Sequence, residues 1–407
     1  MPQQIVILGG GVGGTIVANV LARKLDSNEA QITVIDATGT HQYMPGWLYL
    51  PFNHSAGIEL SRSERSLLNS HVKLLVGHVS QINTQDRELR VLQTAVGQPH
   101  EKGEKSKNGK AGPSPDMLTL PYDYLVLGTG ARLTPEDLPG LHEAEDKWHH
   151  FYSLDGALRL RAALDTFQGG RIVLAIGGIP YRCPPAPLEF VFLLDEWLRH
   201  RGLRQKTEIH YTFPLNRVFP IESVAEVAAP LLEQRGIKTT IFFNAEAVDT
   251  ERQVISSLEG EELPYDLLVM VPPHQGARVI KDSGLGDPQG WIPTNRETLA
   301  VKGVERLYAL GDATDLPVSK SGSAAHFEAK VVASRIEADL RGEAPDPKHG
   351  IYTGEVMCFL ETGHNHATQL VFDYEHPPRP PRPSLYYHME KQLFNRAYWH
   401  IVPQGHV

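Results

Sequence analysis

Short apolar runs that end on glycine set the rhythm of this chain. Residues 4–8 (QIVIL) form the first and lead into Gly9-Gly10-Gly11-Val12-Gly13-Gly14. A helical stretch then reaches about Leu25, and a second apolar run over 31–35 stops at Asp36. Unbroken runs of this length mark strands buried on both faces of a parallel sheet. The strand–turn–helix order around GxGxxG predicts a dinucleotide site. There the glycines let backbone approach a pyrophosphate, the helix N-terminus offers N–H groups, and Asp36 reaches ribose hydroxyls. The plainer alternative is a glycine-rich turn that binds nothing.

The rhythm repeats with changes. The run closing at Leu127 ends on Gly128-Thr129-Gly130, with Pro135 and Pro139 marking the exit. A third buried strand over 171–176 is followed by Gly177-Gly178, but the next residues (IPYRCPPAPLE) have lost GxGxxG and gained prolines and a thiol, Cys183. The following strand, 208–212, ends without an acid. The second unit is therefore expected to keep the dinucleotide fold without binding a dinucleotide. Residues 265–271 end at the crossover Pro272-Pro273, and 307–313 form a late strand ending in Gly311-Asp312. A helix is expected over 323–340, and a hairpin from 352–360 and 369–374 around a turn at 361–368. Residues 376–384 (HPPRPPRPS) read as a stiff polyproline linker, and the aromatic tail 385–402 reads as helical. The polar, Lys/Gly/Pro-rich stretch 98–116 reads as an exposed loop. The predicted fold class is α/β, with two Rossmann-like domains and a C-terminal membrane-interface segment. Residues 1–135 and 290–350 make the first domain, 136–289 the degenerate second, and 351–407 the C-terminal region.

Composition narrows the chemistry. With 39 basic and 48 acidic residues the net charge is -9, which excludes nucleic acid as a main partner. No apolar run reaches the ~18–20 residues that span a bilayer, and the best, 190–194, is cut short by Asp195 and Glu196. No export signal is read, because residues 4–8 already form a structural strand. The 2 cysteines, Cys183 and Cys358, make neither a disulfide scaffold, a CxxC motif nor a cysteine-rich zinc site. They are two inert core residues or one pair joined by the fold. Cys358, His364 and His366 lack a closed fourth ligand, so no metal is expected. His149-His150 reads as a solvated pair. Cys183 sits where a helix is expected to begin, and that helix N-terminus together with Arg182 is expected to favour its thiolate.

The Asp of Gly311-Asp312 ends a strand returning to the first domain, where it reaches a ribityl hydroxyl. That favours FAD over NAD, with Gly9, Gly11, Gly14 and Asp36 on the ADP half and Gly128, Thr129 and Gly130 in the exit loop. GGGVGG with Asp36, YDYLVLGTGA, and RLYALGDAT followed by Lys320 resemble the two-dinucleotide-domain flavoproteins. Within them, RCPPAPLEF and YTGEVMCF resemble the sulfide:quinone oxidoreductases and their relative, flavocytochrome c sulfide dehydrogenase. HQYMPGWLY resembles a loop beside the flavin in one branch, and the resemblance covers essentially the whole chain.

The resemblance implies a specific cycle. Cys183 and Cys358 are bridged beside the flavin by a disulfide or longer sulfur chain. Sulfide opens the bridge and leaves a persulfide on Cys183, and the freed Cys358 thiolate passes two electrons to FAD. A quinone removes them, and zero-valent sulfur grows into polysulfide. Lys320 matches a lysine near the flavin pyrimidine edge. Glu189 is a proton acceptor or an ordinary first-turn carboxylate. Phe359, Tyr386, Tyr387 and Phe394 line a quinone pocket or are core aromatics. The family's frequent third cysteine is absent between Gly128 and Gly170, which fits a two-cysteine subgroup and also the flavocytochrome relative.

The tail favours a quinone over a cytochrome. Leu385, Tyr386, Met389, Leu393, Phe394, Ala397, Tyr398 and Ile401 share a broad helical face, and Arg379, Arg382, Lys391 and Arg396 outnumber Glu390. Such a segment either lies in a membrane interface or packs on its own domain; the first reading fits a peripheral place on the cell membrane, with sulfide and membrane quinone as partners. Homo-oligomer formation is left open. The rival readings are a type II NADH:quinone dehydrogenase, which needs an intact second phosphate loop, and a non-catalytic flavoprotein carrying a redox or sulfur signal.

Overall fold

A computed structural model describes residues 1–52, 58–94, 117–380 and 382–406, so the polar stretch 98–116 lies outside the described residues. The first sheet has seven strands. From one edge they run Leu307–Ala309, Tyr124–Leu127, Gln3–Leu8, Ala30–Asp36, Val72–Asn83, Glu88–Gln93 and Met117–Pro121. The first five are parallel, with Ile5 level with Ile32 on one side and Tyr124 on the other. The last two add an antiparallel ribbon. Helices Val12–Lys24 and Gly322–Arg341 pack together on one face and bury Ile16, Val17 and Leu21 with Val332 and Ile336. Each such side chain contributes roughly 1.5–3 kcal/mol when fully buried.

The second sheet is smaller and wholly parallel: Lys238–Ile241, Thr207–Phe213, Gly170–Ile176 and Leu267–Val271. Helix Ala186–His200 packs on it and is buried almost all round, which explains the apolar run that was too short to span a bilayer. Among the described residues no helix is long and apolar enough to cross a membrane.

The hairpin Val356–Gly363 and His366–Phe372 leans on helix Ala186–His200 and carries the tail helix Leu385–Ile401. Its turn is much tighter than expected. His364 and Asn365 alone form it, at φ 54 and 59. Two-residue hairpin turns of this kind need positive φ at both positions, and the Asn-Gly or Asp-Gly pair that usually announces them is missing. The tail is helical as expected, capped by Ser384, whose Oγ accepts from Tyr387 N at 3.4 Å. Its expected single apolar face is split. Leu385, Tyr386, Met389 and Leu393 are exposed, while Tyr398 and Trp399 are buried alongside the polar Lys391 and Asn395.

Candidate active site

Three glycines build the first loop. Strand Gln3–Leu8 ends and helix Val12–Lys24 begins with Gly11 as its N-cap. A Cβ on Gly9 would stand 2.2 Å from the Gly128 carbonyl oxygen, and one on Gly14 would stand 1.9 Å from that of Gly9. A Cβ on Gly11 would meet nothing within 4 Å, so the space before the helix N-terminus is open. The Asp36 carboxylate accepts from Gly10 N at 3.0 Å and Gly39 N at 2.7 Å, and so fastens the loop it borders. Across the opening, Thr129 Oγ1 is buried without a partner. Glu328 accepts from Gly311 N through one oxygen, and its other oxygen is buried and unpartnered. Burial lifts the Asp312 carboxyl pKa and pushes that of Glu328 to about 8. An open glycine cradle rimmed by unsatisfied buried oxygens fits a bound dinucleotide with hydroxyl groups.

The second loop holds the thiol. Strand Gly170–Ile176 is followed by 177–185 and then by helix Ala186–His200. Cys183 lies ahead of that helix at φ 52, a backbone state that non-glycine residues seldom occupy. Its N–H donates to the Lys320 carbonyl at 2.7 Å, and its own carbonyl accepts from Ala186 N at 2.9 Å. Cys358, on strand Val356–Gly363, is near enough for its charge to act on Cys183, and both are free thiols. The expected thiolate preference is reversed. Burial raises both thiol pKa values, that of Cys358 to about 12, and the Glu189 charge adds to the rise at each. The helix starts beyond the sulfur, and Arg182, whose charge does reach Cys183, commits its Nη2 to the Tyr152 carbonyl at 2.8 Å and does not offset the burial. The reduced thiols therefore keep their protons, and ionising them requires an acceptor nearby.

Glu189 is that acceptor's best candidate. It occupies the first turn of its helix, as the sequence suggested, but is only 3% exposed and pairs with the Lys391 ammonium from the tail. Burial raises its carboxyl pKa against the pull of Lys391. Burial opposes the Lys391 charge, but Glu189, Tyr49 and Glu361 outweigh it and raise the Lys391 pKa. Lys391 is thus committed inward. Glu361 N donates to Glu189 Oε1 at 2.8 Å, and the Glu361 carboxylate meets His388 Nδ1 at 3.0 Å. Lys391, Tyr49, Glu361 and His388 were not singled out from sequence as members of this site. The tail's basic count was the only faint signal for Lys391.

Lys320 is buried. Its Nζ donates to the carbonyls of Asp312 at 2.9 Å and Thr314 at 2.8 Å and sits 3.9 Å from the Trp291 ring centre. It therefore ties the thiol loop to the Gly311-Asp312 turn. The quinone candidates lie on two elements, the hairpin and the tail helix. Phe359 faces Gln369 across the hairpin, Tyr386 meets Tyr387 with ring centres 5.2 Å apart, and Phe394 turns to Tyr398 in the first-sheet core. The expected solvated histidine pair is also overturned. His150 is buried against Trp148, its Nδ1 accepts from Tyr152 N, and burial lowers its pKa to about 4.

Comparison with known proteins places this geometry. The family described as pyridine nucleotide-disulphide oxidoreductase matches residues 3–331. The mitochondrial sulfide:quinone oxidoreductase of Mus musculus is 26% identical over 99% of this chain and 87% of its own. That of Dictyostelium discoideum is 24% identical over 99% and 86%. Among solved structures, the sulfide:quinone oxidoreductase of Aquifex aeolicus shares the fold with a TM-score of 0.80. It is 20% identical and aligns over 99% of this chain and 92% of its own.

Proposed function

The chain belongs to the pyridine nucleotide-disulphide oxidoreductase family of FAD-binding flavoproteins, and from that premise we propose that it oxidises sulfide through Cys183 and Cys358 and passes the electrons to a membrane quinone. One observation carries the reading. The thiol loop is bonded through Cys183 N–H to Lys320, and Lys320 is bonded to the Gly311-Asp312 turn, which supports a thiol site beside the cofactor strand. The similarity to sulfide:quinone oxidoreductases along nearly the full chain supports the substrate.

Residues 1–135 with 290–350 form the FAD unit, 136–289 the degenerate unit and 351–407 the tail region. Gly9, Gly11 and Gly14 admit the pyrophosphate, Gly128, Thr129 and Gly130 line the exit loop, and Asp312 lies at the ribityl. FAD, when bound, supplies a two-electron acceptor beside the thiols. The chain does the rest. Hydrosulfide attacks a Cys183–Cys358 disulfide, the new S–S bond forms on Cys183, and both electrons of the broken bond leave on Cys358. The proton on the new persulfide goes to the Glu189 carboxylate, whose raised proton affinity suits that task. Lys320 holds positive charge where reduction makes the site more negative. Phe359, Tyr386, Tyr387 and Phe394 contact the quinone at separate points along its route.

The tail makes the chain peripheral. Leu385, Tyr386, Met389 and Leu393 form an exposed apolar stripe, with Tyr386 and Leu393 each 67% exposed, while Arg396 and His400 of the same helix are also exposed and Lys391 and Asn395 are buried. This is the arrangement of an interfacial helix. Lys391 does not serve anionic headgroups, since it is paired with Glu189. Steady-state assay with sulfide and a short-chain quinone tests the proposal. Turnover is expected in the full chain and absent in Cys358→Ser. FAD-loaded protein that turns over NADH and not sulfide would replace it with the NADH dehydrogenase reading.

A further inference from the structure

We propose that Tyr49, Glu361 and His388 form a proton path from the Glu189–Lys391 pair to a solvent cavity, and that His388 is its outlet. The inference rests on the sulfide reading above and extends it. Glu189 is 3% exposed and cannot reach water directly. If it takes the persulfide proton, it must lose that proton before the next turnover.

The structure supplies one continuous set of polar groups. Lys391 bonds to Glu189 and stands 5.6 Å from the Tyr49 ring centre, within reach of its hydroxyl. Tyr49 is buried, its pKa is raised by that burial, and its neutral O–H donates to Glu361 Oε1 at 3.3 Å. His388 Nδ1 lies 3.2 Å from Glu361 Oε1 and 3.0 Å from Oε2. Beyond His388 opens a cavity of about 230 Å³ lined by Tyr49, Glu196, Glu361, His388 and Gln392. His388 is half-buried at its wall, whereas Glu361 is fully buried. Four separate elements meet here: the 41–49 segment, helix Ala186–His200, strand Val356–Gly363 and the tail helix.

The proton moves by exchange along this row. Protonated Glu189 gives its proton to Lys391 as the ammonium passes one to Tyr49, Tyr49 passes one to Glu361, and Glu361 passes one to neutral His388. Glu189 returns to its carboxylate, Lys391, Tyr49, Glu361 and His388 each end with the proton count they began with, and one proton leaves to the cavity. The charges around the outlet set its tuning. Glu361 on the hairpin strand, hydrogen-bonded to it, and Glu196 on the neighbouring helix raise the His388 pKa, while burial and Lys391 on its own helix oppose them. The net rise means that His388 is a better acceptor as pH climbs through a value above the ordinary ~6.5.

The test follows sulfide-driven flavin bleaching by stopped flow, from pH 6 to 9, in wild type, His388→Ala and Glu361→Gln. His388→Ala is expected to bleach about tenfold more slowly, to lose the inflection assigned to His388 in the ratio of wild-type to variant rates, and to regain rate when free imidazole is added. The inflection is taken from the ratio because sulfide's own ionisation cancels there. Glu361→Gln is expected to slow equally without imidazole rescue. It should also lower the His388 pKa read by NMR of histidine-labelled protein, a readout independent of turnover. Reoxidation by quinone is expected to be unchanged. Equal bleaching in all three proteins, a slowed His388→Ala that imidazole does not restore, or a defect confined to quinone reoxidation would each overturn the path. Failure of wild type itself to bleach with sulfide would instead overturn the underlying function.

Discussion

After Leu8 the chain passes from strand to helix in three residues, 9–11; after Ile176 it takes nine, 177–185. The two connections occupy the same place in two parallel sheets. The short one is built so that backbone comes close to backbone: Gly9 and Gly14 leave no room for a Cβ, and Gly11 leaves open space before the helix. The long one presents a side chain. A Cβ on Gly178 would meet nothing nearer than 3.8 Å, and the residue that matters is Cys183, held by Lys320 rather than by a helix N-terminus. In the proposed function one loop offers N–H groups to phosphate, and the other offers sulfur to a substrate. The fold tolerates both because the sheet fixes where a loop begins and leaves its length free.

The sharpest way to break this comparison is to exchange what each loop depends on. Cys183→Ser is expected to abolish sulfide-dependent bleaching while the protein still carries FAD, measured by flavin absorbance before and after sulfide. Gly14→Ala is expected to cost the cofactor itself, since its Cβ would stand 1.9 Å from the Gly9 oxygen, and the purified protein should be colourless. Gly178→Ala should retain both FAD and activity. Equal cofactor loss in the two alanine variants would remove the distinction between the loops.

Glu189→Gln probes the thiol side alone. It leaves the buried Lys391 ammonium without its partner, which costs about 3–5 kcal/mol in denaturant melts. It also removes a charge that raises both thiol pKa values, so in reduced protein alkylation of the thiols should become faster at a given pH. In wild type the same reaction is expected to be slow near neutrality and to accelerate as pH rises toward about 12, the value for Cys358.

The second unit carries a pH signature. Burial holds His150 and His274 neutral, with pKa values lowered to about 4 and about 3. Unfolded histidine binds its proton near ~6.5, so the unfolded chain takes up more protons below that pH. Their contribution to stability is complete above ~6.5 and is lost as pH falls toward the folded values. Melting temperatures from pH 7 to 4 should decline, and less steeply in His150→Phe if the variant folds. The smallest effect is expected in the tail. Leu393→Ser should change stability by less than about 0.5 kcal/mol and reduce binding to phospholipid vesicles in a flotation assay.

Much of this architecture was legible because it depends on local patterns. The apolar runs and glycines at 9–14 and 128–130, the degenerate second loop and the helical tail all announce themselves within a few residues. The paired role proposed for Cys183 and Cys358 rests on resemblance, since spacing alone leaves inert thiols open. What stayed hidden depends on side chains that meet only after folding. Glu189 and Lys391 lie far apart in the chain, and neither belongs to a periodic pattern that would betray the other. The thiol electrostatics were misjudged because Arg182 and a helix start are visible in sequence while burial and the Glu189 charge are not. His364 and Asn365 hid a two-residue turn because neither is glycine.

The central claim is that the second loop has exchanged nucleotide binding for sulfur chemistry. An anaerobic titration of the FAD-loaded full chain tests it most directly, with sulfide or NADH added in turn while flavin absorbance is followed. The account predicts bleaching by sulfide, its recovery on adding a short-chain quinone, and no bleaching by NADH. Bleaching by NADH with no response to sulfide would contradict it.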